Sequence, residues 1–129
     1  MNKVLLDTHL LLWAAAGDER LPQTVIERLN DEQTCPLFSA ASIWEVVIKS
    51  GLGRSDFSVD ASMLRRGLLD NGYVELPITS AHTLGVGRLP ELHRDPFDRI
   101  LASQAIEEGI ELLTKDTTLA RYPGPITLV

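Results

Sequence analysis

The chain predicts an α/β fold, a three-layer α/β/α sandwich around a mostly parallel central sheet. Short apolar runs of strand length, at 3–6, 35–38 and 110–114, alternate with longer segments whose apolar residues recur at helical spacing. The first run, Val4-Leu5-Leu6, leaves no polar face, as expected of a strand buried on both sides in a parallel sheet. Its 129 residues, 44% of them hydrophobic, suffice for one core, so residues 1–129 are read as one domain.

The elements follow in order. After the first strand, Leu10 to Ala16 forms an apolar helix that Gly17 can end. Leu21-Pro22 opens a second helix, proline suiting its first position, with Val25, Ile26 and Leu29 at helical spacing. The strand 35–38 runs into a helix from Ser39 to Lys49, with Ser39 or Ser42 as N-cap; Ser42 and Glu45 have capping-box spacing. Ala40, Ile43, Trp44, Val47 and Ile48 trace an apolar stripe on it, expected to face the core, and Gly51 and Gly53 mark its exit. A helix from Asp60 to Leu69 stops at Asn71-Gly72. Tyr73 to Leu76 reads as a third strand, 79–84 as a helical turn, and the stretch around Gly85, Gly87 and Pro90 as loop. Asp95-Pro96 then starts the clearest helix, with aspartate as cap and proline at the first position, ending before Gly109. Residues 110–114 form the fourth strand. Pro125 to Val129 gives a last one at a sheet edge, where proline is tolerated.

Composition narrows the function. The formal net charge of −6 argues against a protein that coats nucleic acid with a basic face. A bound cation would locally reverse that field, and the acidity also leaves room for a basic partner. A lone cysteine, Cys35, cannot form an internal disulfide and reads as core filler. No apolar run reaches the ~20 residues of a membrane helix, and the N-terminus lacks signal-peptide features. The expected location is the cytoplasm.

Four acids share a pattern. Asp7 and Asp116 directly follow predicted strands, while Glu45 and Asp98 sit in the first turns of predicted helices. In an open α/β sheet, ligands bind beyond the carboxyl ends of the strands. Each acid has an ordinary alternative: Asp7 and Asp116 as helix caps, Asp98 as a capping contact or an ion pair with Arg99. Asp98, however, falls within the apolar arc of Phe97, Leu101, Ala102 and Ala105. A carboxylate facing the protein must be paired, hydrogen-bonded or metal-bound. If the four converge, they need a cation, and oxygen-only donors select a hard divalent ion such as Mg²⁺ or Mn²⁺. Such a site suits metal-assisted phosphoryl hydrolysis.

Leu6-Asp7-Thr8-His9, Ser39 through Glu45, Asp95-Pro96-Phe97-Asp98-Arg99 and Leu113-Thr114-Lys115-Asp116 together resemble the PIN-domain ribonucleases, more narrowly the VapC-type toxins of bacterial toxin–antitoxin pairs. The match spans essentially the whole chain. It implies a Mg²⁺- or Mn²⁺-dependent endoribonuclease. Asp7, Glu45 and Asp98 correspond to the family's three central acids, and Asp116 to a fourth, more variable one. Thr8 and Thr114 occupy supporting positions. The resemblance further implies a cognate antitoxin, a homodimer, and promoter DNA bound only through the antitoxin.

An RNA-cutting site also needs cations for phosphates. Lys49, Arg54, His93, Arg94, Arg99 and Lys115 lie near the motifs and are the candidates, each with a solvated surface charge as its ordinary reading. His9 could contact RNA or act as a hydrogen-bonded scaffold. Trp13 and Trp44, on apolar helix faces, are expected in the core. Two other functions compete. A haloacid-dehalogenase-like phosphatase also has an aspartate after its first strand, but it needs a second aspartate where His9 stands. A catalytically silent PIN-like RNA- or protein-binding module would not need all four acids.

Overall fold

The computed structural model describes residues 1–129. Five strands, β1 (Asn2–Leu6), β2 (Thr34–Ser39), β3 (Val74–Leu76), β4 (Glu111–Thr114) and β5 (Ile126–Leu128), form one sheet in the order β3-β2-β1-β4-β5. Every pairing is parallel, so the expected mostly parallel sheet is wholly so. Six helices cover it: α1 (Thr8–Ala16), α2 (Gln23–Asn30), α3 (Ala40–Gly51), α4 (Ala61–Asp70), α5 (Ser80–Val86) and α6 (Pro96–Glu108). None is long and apolar enough to cross a membrane.

Strand periodicity divides the core. Val4, Leu6 and Leu113 face one way, onto Leu10 and Leu11 of α1 and Leu64 and Leu68 of α4. Leu5, Leu37 and Leu112 face the other, onto Leu101, Ala102 and Ala105 of α6. Both faces of β1 are therefore dry from Val4 to Leu6, as its unbroken apolar run requires.

The strand order sets the site. From β1 the chain steps outward through β2 to β3, then returns to build β4 and β5 on the other side. The switch point lies between β1 and β4, where Leu6 pairs with Leu113 and the Asp7 N–H donates to the Leu113 carbonyl. Residues that follow those two strands thus emerge side by side.

Local signals place the helix ends. Asp7, Ser39, Asp60 and Asp95 cap α1, α3, α4 and α6 through their side chains. Pro22 caps α2 without being its first helical residue. Gly109 ends α6 at φ 65°, a left-handed conformation that favours glycine. α5 runs to Val86 and so includes Gly85, a position expected to be loop; Thr79 and His82 form the reciprocal capping box that starts it.

α3 departs from expectation. Its inward face is Ala41, Ser42, Glu45 and Val46, while Trp44, Val47 and Ile48 point outward. Trp44 is 58% exposed and packs edge-on against Phe97, so it is not a core residue. The helix is apolar over so much of its circumference that periodicity alone could not fix its phase. Hydrogen bonds to the two inward polar residues decide the matter.

Candidate active site

At the switch point an open cleft of about 430 Å³ is lined almost wholly by polar side chains, among them Asp7, Glu45, Asp98 and Asp116. Each comes from a different element: the β1–α1 junction, α3, α6 and the turn after β4. The expected convergence of the four acids is therefore present.

Asp7 meets both of its readings at once. Oδ1 accepts the Leu10 N–H at 2.9 Å and caps α1, while Oδ2 accepts the Thr114 hydroxyl at 2.5 Å. Thr114 Oγ1 accepts the Asp116 N–H at 2.9 Å, so this one threonine links the acids of two neighbouring strands. Asp116 divides its oxygens similarly. Oδ1 caps the short turn at 119–121 through the Thr118 and Leu119 N–H groups, and Oδ2 lies 2.9 Å from His93 Nε2.

Glu45 is buried and held at both oxygens: Thr8 Oγ1 donates to Oε1 at 2.6 Å, and Lys49 Nζ approaches Oε2 at 2.5 Å. Thr8 has one hydroxyl proton. Since Glu45 receives it, the Ser42 hydroxyl, 2.9 Å away, donates to Thr8. Ser42 thus braces the site and does not cap α3.

The electrostatics follow from burial and crowding. Burial raises the Asp7 carboxyl above its ordinary range against the hydrogen bonds from Thr114 and Leu10. Asp98 is pushed up to about 7, first by burial and then by the nearby charge of Asp95, with Glu45 and Asp7 adding to it. Burial opposes the charge on Asp116 as well, but the His93 bond and two backbone N–H groups outweigh it and hold that carboxyl low. Lys49 is held above its usual value: burial opposes its charge, and Glu45 and Asp95 outweigh burial.

The basic residues divide. Lys49, Arg54 and Lys115 line the cleft, as do His9 and Trp13. Trp13 is therefore half-buried at the cleft wall, with Arg20 and Lys115 over its ring at 5.1 and 6.0 Å from the centroid. His9 stacks edge-on against Phe57 and faces Asp56 at 3.6 Å. Arg94 and Arg99 do not join the lining. Arg99 turns to the end of α5 and the loop before α6, where its guanidinium donates to the Val86 carbonyl at 3.1 Å and the His93 carbonyl at 3.3 Å.

His93, considered from sequence only as a phosphate-holding cation, lies between Asp98 and Asp116 in the cleft. Its position two residues before the Asp95-Pro96 helix start is the signal that could have located it, because that spacing sets the imidazole beside the helix carrying Asp98. A larger apolar groove, about 560 Å³ between α1 and α4, has Asp60 as its only acid, already engaged in capping α4.

An all-parallel α/β fold with four acids at its switch point defines a class: the sequence model of the PIN domain family matches residues 4–125, and the chain belongs to that family. Among individual proteins, it is similar to Ribonuclease VapC22 of Mycobacterium tuberculosis (strain ATCC 25618 / H37Rv), with 28% identity over 131 residues and 99% of both chains covered. Its fold matches a chain in the crystal structure of VapBC2 from Rickettsia felis bound to a DNA fragment from their promoter. There the TM-score is 0.71, with 17% identity and 98% of both chains covered. A chain of VapBC-1 from nontypeable Haemophilus influenzae matches at TM-score 0.61 and 18% identity, covering 91% of this chain and 89% of that one.

Proposed function

We propose that this protein is an endoribonuclease that uses a divalent cation, Mg²⁺ or Mn²⁺, and serves as the toxin of a toxin–antitoxin pair. The observation that carries this reading is the convergence of Asp7, Glu45, Asp98 and Asp116 on one cleft, with Asp98 pushed up to about 7 by burial and neighbouring acids. So many carboxylates in one place favour a cation, and their hard oxygen donors fit Mg²⁺ or Mn²⁺. Asp7, Asp98 and Asp116 would hold it, together with Glu45. Bound there, the ion supplies Lewis acidity toward a phosphodiester and its attacking water.

The remaining residues have separable tasks. Thr114 and Thr8 orient Asp7 and Glu45 through short hydrogen bonds. Lys49, Arg54 and Lys115 offer cations to RNA phosphates along the cleft wall. The similarity to a protein named as a ribonuclease, aligned over 99% of both chains, supports RNA as the substrate. The likeness to chains of VapBC structures supports an antitoxin partner, and promoter DNA would be reached through that partner. A homodimer and a cytoplasmic location complete the reading.

The test is an RNA cleavage assay with Mg²⁺, Mn²⁺ or EDTA, run beside Asp7→Asn, Asp98→Asn and Asp95→Asn purified identically. Asp7→Asn and Asp98→Asn are expected to abolish metal-dependent cutting while retaining the fold. Asp95→Asn keeps a capping oxygen for α6 but removes a charge from the cleft beside Lys49 and Asp98, and should cost about 1 kcal/mol of stability or less. Undiminished cutting by Asp98→Asn would overturn the assignment of the site.

A further inference from the structure

His93 lies within reach of two of the four acids, and its place in the cleft has two chemical readings: a nitrogen ligand to the cation, or a hydrogen-bond donor to the carboxylates. The ring's other nitrogen separates them. Nδ1 accepts the backbone N–H of Asp95 at 3.2 Å, so it carries a lone pair and no proton. In the neutral ring the proton then belongs to Nε2. That nitrogen points between Asp116 Oδ2 at 2.9 Å and Asp98 Oδ2 at 3.1 Å. A ligating histidine needs the reverse arrangement, a bare Nε2 with Nδ1–H donating to an acceptor.

The loop holding the ring is itself fastened. The His93 N–H donates to Tyr122 Oη at 2.9 Å, and Arg99 donates to the His93 carbonyl at 3.3 Å. Arg99 also reaches the Val86 carbonyl, and Tyr122 is almost fully buried. These contacts fix the backbone that carries the ring, and turning the imidazole over would forfeit the Asp95 N–H bond to Nδ1.

We propose that His93 is a positioning residue of the cation site: locked as the Nε2–H tautomer, it bridges Asp98 and Asp116 and sets their spacing without ligating the ion. This rests on the cation-dependent reading above. It also gives Arg99 and Tyr122 a function, since they hold the loop that presents the ring. Asp98 and Asp116 belong to separate elements, α6 and the turn after β4, and this ring stands between their carboxylates, hydrogen-bonded to Asp116 and 3.1 Å from Asp98.

Two measurements test it. Ring ¹⁵N NMR of the metal-free protein should report a proton on Nε2 and none on Nδ1, and the same pattern should persist on saturation with Mg²⁺. A Nδ1–H tautomer, in either state, would overturn the proposal in favour of ligation. Mn²⁺ affinity is then measured by calorimetry for wild type, His93→Met and His93→Gln. Methionine fills similar space but donates nothing, whereas the glutamine amide can place an N–H near the position of Nε2. His93→Met should bind Mn²⁺ roughly 10–100-fold more weakly, and His93→Gln should stay close to wild type. Equal losses in both variants, or none in either, would overturn the role of His93 alone. Failure of wild type to bind Mn²⁺ would instead remove the cation reading, and the role of His93 with it.

Discussion

Each acid of the cleft, apart from Asp98, spends at least one oxygen on the scaffold. Asp7 and Asp116 cap helical turns, Asp7 also accepts from Thr114, and Glu45 accepts from Thr8. Cap and functional readings are thus complementary for Asp7 and Asp116: the contact that orders the backbone also orients the carboxylate. Thr114 is the most connected of the supports, donating to Asp7 and accepting from the Asp116 N–H. Thr114→Val keeps the shape and removes both bonds. It is expected to lower Mn²⁺ affinity or RNA cleavage roughly 10–100-fold, the usual cost of losing a group that orients ligands, and calorimetry beside the cleavage assay checks this. The four acids were legible in the sequence because each follows a local signal, a strand end or a helix start. Ser42 and His93 were harder to assign, because their roles depend on partners 34 and 23 residues away. Arg99 is a candidate for RNA phosphates from sequence because it lies close to the motifs, but consecutive helix residues diverge by about 100°, and it turns away from the cleft that Asp98 lines.

Among the elements, α5 and α3 reward separate attention. α5 lies so close to α6 that a methyl group on Gly85 would collide with Ser103 Oγ and come 3.0 Å from Glu107 Oε1. Ser103 is not free to move, since its hydroxyl donates to the His82 carbonyl at 2.6 Å. Gly85→Ala should therefore destabilise the protein by about 1–3 kcal/mol through overpacking, read as a lower urea midpoint. The sequence could not disclose this, because a glycine beside a predicted loop looks the same as one beneath a crossing helix. α3 teaches the converse. Its apolar stripe was legible but its phase was not, since the inward Glu45 and Ser42 depend on Thr8 of another helix. Trp44→Ala should accordingly cost only about 1 kcal/mol, the value of its edge-on pair with Phe97, and not the 3–5 kcal/mol typical of a core aromatic. Chemical denaturation distinguishes the two.

For the whole molecule, the cleft couples stability to pH and, on the cation-dependent reading proposed above, to the ion. Asp98 rises from an ordinary 3.8 to about 7 in the folded state. Between those values the folded chain holds a proton that the unfolded chain has released. Its contribution is therefore complete below about pH 4 and lost as pH rises through about 7. A cation that binds only the folded, ionised site offsets that loss. The rise in thermal midpoint on adding Mn²⁺ should thus be larger at pH 7.5 than at pH 5, and Asp98→Asn should remove most of the difference. The architecture behind this was the most legible feature of all, because alternating strands and helices leave few topologies open. The strand order was not, since nothing local tells β4 to pair with β1.

That pairing also gives the protein a calendar. Asp7 and Glu45 leave the ribosome early, but Asp7 meets Thr114 only after 107 further positions have been joined. A nascent chain that has not yet reached β4 carries three of the four acids, an unfilled sheet edge beside β1, and an incomplete cleft. Parallel pairing across such a separation is slow, because the loop must close before its contacts form. On the ribonuclease reading proposed above, cutting cannot begin until synthesis has passed Asp116, the last acid of the cleft.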